Sequence, residues 1–214
     1  MRHIFINDEV DDRDYTVLFR QGDLDGACVL YSLMMALNLC GYVDDETSFA
    51  DEPDRRTQIG KLYKQFEDYP ALFSGGACIT DLQELVDKAY GRKIETAFYE
   101  GDNRGIRDFM VSHLNDGHPV ILGMSMETGE AHAITACGLE FERADEDFPD
   151  EGGHMPTPHK ILTLDPNGCQ MLWFHPWNSF ILHKPQKGRH PYLFVGGYGN
   201  VKVKFDEALA LWSR

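Results

Sequence analysis

Pro119-Val120-Ile121-Leu122-Gly123-Met124-Ser125-Met126, the break Glu127-Thr128-Gly129-Glu130, and Ala131-His132-Ala133-Ile134-Thr135-Ala136-Cys137-Gly138-Leu139 follow one another directly. The first run reads as a buried strand, the break as a turn and the second run as another strand. A third strand, Lys160-Ile161-Leu162-Thr163-Leu164-Asp165, is stopped by Pro166-Asn167-Gly168. Strand follows strand with no helix between them, so the sheet is expected to be antiparallel and the fold α+β. Between the second and third strands, Glu140–His159 is acidic and carries Gly152-Gly153 and three prolines, which reads as an exposed flap.

Working outward, the region before this sheet is helical in pattern. Cys28-Val29-Leu30-Tyr31-Ser32-Leu33-Met34-Met35-Ala36-Leu37 is almost wholly apolar and rich in helix formers, a core helix ending at Gly41. Helices are also expected over about 57–67, over 81–90 with Thr80 and Gln83 as a capping box, and over about 106–115. Short strands are expected at His3–Ile6, Tyr15–Phe19 and Glu95–Tyr99. Downstream, Met171–His183 reads as aromatic-rich and irregular. Tyr192–Val195 and Val201–Phe205 read as a hairpin, and Asp206 as the cap of a short helix closing near Trp212. No repeat or interdomain linker interrupts residues 1–214, so one domain is expected: a helical part built on the Cys28 helix, packed on an antiparallel sheet.

The chemistry-bearing residues follow from that layout. Cys28 falls in the first turn of the core helix, where backbone N–H groups and the helix dipole favour thiolate over thiol. Gln21 lies on the feeding loop, from which its amide is expected to reach an oxyanion forming beside the Cys28 N–H. A nucleophilic cysteine needs a histidine base and a group to orient it. His132 begins a strand face continued by Ile134, Ala136 and Gly138, a polar rim above small apolar residues. Asp165 ends the neighbouring strand, and Asn178, between Trp177 and Ser179, is a rival orienter. No cofactor is expected. Ser74-Gly75-Gly76 lacks the lysine of a phosphate-binding loop, and His154 and His159 lack a third metal ligand.

Composition narrows the partners. With 35 acidic against 20 basic residues the formal charge is −15, which repels phosphate backbones and anionic lipid and attracts basic peptide segments. Neither nucleic acid nor membrane is expected as a partner, and no apolar run nears the roughly 18 residues that span a bilayer. The N-terminus has no signal-peptide pattern, and five scattered cysteines (28, 40, 78, 137, 169) suit reduced thiols in a cytoplasmic setting.

The order Gln21…Cys28 with its apolar helix, Gly117-His118-Pro119-Val120-Ile121, His132-Ala133-Ile134, then Leu164-Asp165-Pro166-Asn167-Gly168 resembles the papain-like cysteine peptidases. Within them it is most similar to the bacterial branch that includes the double-glycine leader peptidases. The resemblance runs from about Gln21 to Asn167. It departs from the family in the Gln21–Cys28 spacing, one residue longer, and in Val29, where a glycine often stands. It implies a papain-like fold with Cys28 as nucleophile, His132 as general base and acid, Asp165 as orienter and Gln21 in the oxyanion hole. The activity implied is cleavage of a peptide or isopeptide bond through a thioester on a protein or peptide substrate. The same groups would serve deamidation or acyl transfer, and delivery into another cell as a bacterial effector is a further implication of the analogy. The charge and the altered positions around Cys28 also fit a non-catalytic acidic binding or immunity-type protein.

Overall fold

The computed structural model describes residues 2–5 (backbone only), 27–43, 54–68, 78–141, 157–168, 177–197 and 199–214. Gln21, the Tyr15–Phe19 segment, most of the acidic flap, His154, Cys169 and Trp173 lie outside them. Among the described residues there are four helices: α1 (Cys28–Leu39), α2 (Gln58–Asp68), α3 (Ile79–Tyr90) and α4 (Asn103–Asn115). The eight strands are β1 (Arg2–Phe5), β2 (Ile94–Glu100), β3 (Val120–Met126), β4 (Ala131–Phe141), β5 (Lys160–Leu164), β6 (Ser179–Leu182), β7 (Tyr192–Gly196) and β8 (Gly199–Ser213).

Every strand pairing is antiparallel. The order β4-β3-β8-β7-β6-β5 closes on itself through β5–β4 pairing, so six strands form a barrel; β1 adds to β4, and β2 to β8. This corrects the expected architecture. The protein is mostly sheet, a closed barrel accompanied by four short helices, and not a papain-like helical part packed on an open sheet. Closure satisfies the backbone groups an open sheet would leave along its edges.

Two strands escaped the sequence reading. Phe205-Asp206-Glu207-Ala208-Leu209-Ala210-Leu211-Trp212 has helix formers behind a capping aspartate, yet it is the second half of β8. It pairs with β3 from Val203 to Ala210 and with β2 from Glu207 to Ser213. Ladder partners on both sides outweigh local propensity. Likewise β6 runs through a stretch whose sequence reads as irregular, held by Ile161↔Ile181 on one side and Ile181↔Phe194 on the other. The β7–β8 hairpin forms where expected.

α1 buries ten of its residues, Val29 through Leu39 except Tyr31, because it is apolar all round and lies enclosed. It packs on β4 and β3. Its end is sealed by Gly41 at φ 77° and by Asn38 Nδ2 donating to the Val43 carbonyl at 2.7 Å. The α3 start differs from the capping box expected at Thr80. Cys78 caps without a side-chain bond, Ile79 N–H donates to Glu207 Oε1 at 3.0 Å, and Gln83 Nε2 turns instead to Thr96 Oγ1 at 3.2 Å. A β8 carboxylate thus satisfies the α3 N-terminus.

The barrel interior is filled by side chains. Tyr192 and Phe205 stack with ring centroids 4.1 Å apart, and Phe194 is fully buried beside them. Burying a residue of this size contributes about 1.5–3 kcal/mol. Thr135 Oγ1 donates to the Ser32 carbonyl of α1 at 2.8 Å, which identifies the outward face of β4. His132, three positions earlier, therefore belongs to the inward face.

Candidate active site

The site forms where the N-terminus of α1 meets the first residues of β4, at one end of the barrel. β5 pairs with β4 only as far as Thr135↔Leu164, because Pro166 cannot continue the ladder. Over residues 131–134, β3 is therefore the one strand paired with β4 among the described residues. There the Ala133 backbone N–H comes near the Cys28 sulfur and lowers its pKa. A second N–H comes from Val29, within α1 itself. The α1 N-cap, Ala27, carries no capping side chain, so the first-turn donors remain available to the sulfur.

One step past Leu164, strand alternation carries Asp165 to the inward face that also holds Ile134 and His132. His132 Nε2 and Asp165 Oδ1 are 2.8 Å apart, with Asp165 fully buried and His132 nearly so. Asp165 Oδ1 also accepts from Asn167 N–H at 2.9 Å. Nε2 being engaged, Nδ1 is the ring nitrogen left for the Cys28 sulfur, with which His132 is hydrogen-bonded. Sulfur, imidazole and carboxylate thus form one chain, from residues distant in sequence.

Its electrostatics favour the charge-separated form. Burial pushes the Cys28 thiol up. The His132 hydrogen bond and charge, with the Ala133 and Val29 N–H groups, outweigh it, and the net shift is downward. Burial pulls His132 down, but hydrogen bonds to Asp165 and Cys28 and their charges raise it to about 9.

Asn178 lies beside this chain, but not as the orienter of the imidazole. Its Oδ1 accepts from the Asp165 N–H at 2.7 Å and its Nδ2 donates to the Asp165 carbonyl at 2.8 Å. It clamps the aspartate backbone, and Asp165 is the residue bonded to the imidazole. Ser179 and Thr163 brace the same place through a hydroxyl pair at 2.7 Å. A Cβ at residue 168 would stand 2.3 Å from Asn178 Nδ2, so the Asp165-Pro166-Asn167-Gly168 turn needs glycine there for close approach. The backbone clamp was illegible in the sequence because β6 itself was not foreseen.

The other described cysteines have different surroundings. Cys40 is pushed up to about 12 by burial, Cys137 is fully buried and also raised, and Cys78 is exposed. Among the described residues no three His, Cys, Asp or Glu side chains gather as a metal site, and no helix is long and apolar enough to cross a membrane. A comparison with protein-family models finds no match for this chain, and neither does a search of curated proteins, so the functional reading rests on this geometry.

Proposed function

We propose that the protein is a thiol hydrolase acting on a peptide, isopeptide or side-chain amide bond. The observation that carries this reading is the buried chain Cys28–His132–Asp165, with its sulfur at a helix N-terminus near the Ala133 and Val29 N–H groups. Cys28 thiolate attacks the carbonyl carbon, forming a C–S bond while the carbonyl π pair moves to oxygen. Collapse breaks the C–N bond, His132 Nδ1–H protonates the departing amine, and a thioester remains. Neutral His132 then takes a proton from water, whose oxygen attacks the thioester. Breaking the C–S bond restores thiolate and imidazolium. Asp165 holds the ring and its charge throughout. Gln21 is the candidate oxyanion donor.

The free thiols among the described residues suit a reducing, cytoplasmic setting, and the chain's acidity suits a protein or peptide substrate with basic residues. A first test alkylates the protein with iodoacetamide at pH 6. Cys28 should label far faster than Cys40, Cys78 or Cys137, and His132→Ala should remove that selectivity; equal labelling of all thiols sinks the reading. Incubating wild type and Cys28→Ala with a proteome extract then separates the reactions. New N-termini mean proteolysis, a mass gain of about 1 Da at glutamine means deamidation, and amine incorporation means acyl transfer.

A further inference from the structure

A cavity of about 390 Å³ opens beside His132, at the turn joining β3 to β4. It is at the small end of ligand-pocket volumes, which run from about 300 to 1,000 Å³, and suits one long side chain rather than a folded partner. Met126, Ala131 and Val201 supply apolar wall, His132 and Asn167 line it toward the candidate active site, and Glu130 with Thr128 forms its solvent-exposed margin. Among the described residues lining it, Glu130 carries the only carboxylate. The turn fixes the backbone that carries it. The Glu130 carbonyl accepts from Met126 N–H at 2.8 Å, and Oε2 accepts from Thr128 Oγ1 at 3.3 Å.

We infer that this cavity is a specificity pocket for a lysine or arginine side chain next to the bond acted on, with Glu130 as its charge partner. The inference rests on the thiol-hydrolase reading above and deepens it. A long basic side chain lays its methylenes along Met126, Ala131 and Val201 and keeps its charged head at the exposed margin, where the carboxylate stands. A purely apolar occupant covers the same wall but draws water from Glu130 without replacing it. An acidic occupant meets Glu130 and the chain's overall field as like charge. Because His132 is common to pocket and site, a residue seated here has its neighbouring carbonyl close to the sulfur.

The test measures protection of Cys28 in the full chain. Acetylated tripeptide amides Ala-Lys-Ala, Ala-Arg-Ala and Ala-norleucine-Ala compete with iodoacetamide at pH 6, and intact mass gives the rate. The lysine and arginine peptides should protect at concentrations about tenfold below norleucine, the effect of one charge-assisted contact. Glu130→Gln should bring the peptides within about twofold of one another. Glu127→Gln removes the same charge from a neighbour whose Oε1 accepts from Lys202 N–H and which does not line the cavity, and should leave the preference in place. Equal protection by norleucine, absence of protection by any peptide, or a preference surviving Glu130→Gln overturns the pocket. Unselective labelling without peptide overturns instead the hydrolase reading beneath it.

Discussion

Asn178 grips both polar groups of the Asp165 backbone, its Oδ1 2.7 Å from the Asp165 nitrogen and its Nδ2 2.8 Å from the Asp165 oxygen. The aspartate follows the last paired residue of β5, where Pro166 has ended the ladder, so strand pairing no longer holds it. A side-chain amide stands in for the missing neighbour and imitates a pair of ladder bonds. The carboxylate is thereby free to face His132.

Removing the clamp should cost stability and reactivity together. Asn178→Ala leaves the buried Asp165 N–H unpaired, while the Asp165 carbonyl keeps the Gly168 N–H as a donor, which costs about 2 kcal/mol in urea unfolding. Cys28 alkylation at pH 6 should slow as Asp165 loses its placement. Gly168→Ala, whose Cβ would intrude on Asn178 Nδ2, should reproduce both effects more weakly. Full alkylation rates in both variants would show that Asp165 is held without the clamp.

Asp165→Asn preserves shape and deletes charge. The imidazolium loses the carboxylate bonded at 2.8 Å, which is worth about one to three pKa units at such contact. Cys28 alkylation at pH 6 should fall by about one to two orders of magnitude, while the folded yield and far-UV spectrum stay near wild type. An unchanged rate would remove Asp165 from the constellation.

The pH profile should separate sulfur from imidazole. Alkylation needs only thiolate, so its rate should rise with a midpoint below the ordinary thiol value of 9.0 and then remain flat. Turnover of any amide substrate needs thiolate together with imidazolium. It should be bell-shaped, with an alkaline limb near 9 where His132 loses its proton. An alkylation midpoint at the ordinary thiol value contradicts the downward shift.

Acid sensitivity should be set in part by a histidine away from the site. His183 is buried, and burial first, then the Arg107 charge, pulls it from 6.5 down to about 4. The folded state keeps it neutral, so its contribution is complete above pH 6.5 and is lost as pH falls from 6.5 toward 4, by at most about 3 kcal/mol. His183→Gln should flatten the decline in urea midpoint between pH 7 and 4.5. An identical slope in the variant would assign the acid sensitivity to other groups.

The stretches most legible in the sequence are those whose pattern is local. The all-apolar run from Cys28 ends at a glycine in left-handed conformation, and β3 and β4 are joined by a turn too short for any pairing but an antiparallel one. Residues 205–212 read as a helix and form a strand because alanine, leucine and an aspartate cap look the same before a helix as within a strand covered on both sides. β6 offers only four residues and little alternation, so its pairing with β5 and β7 had to come from the closed ring.

The chain's own residue pattern determined where the four described helices run, that the central strands are antiparallel, and which residues are the candidates for nucleophile, base and orienter. Tertiary structure alone decided that the sheet closes, that the C-terminal segment is strand, and that Asp165 faces the imidazole while Asn178 holds its backbone. The reason is physical: propensity and alternation act over a few residues and are written locally. Closure and the meeting of Cys28 with His132, by contrast, depend on pairings between segments about a hundred residues apart, whose free energy exists only once the barrel is assembled.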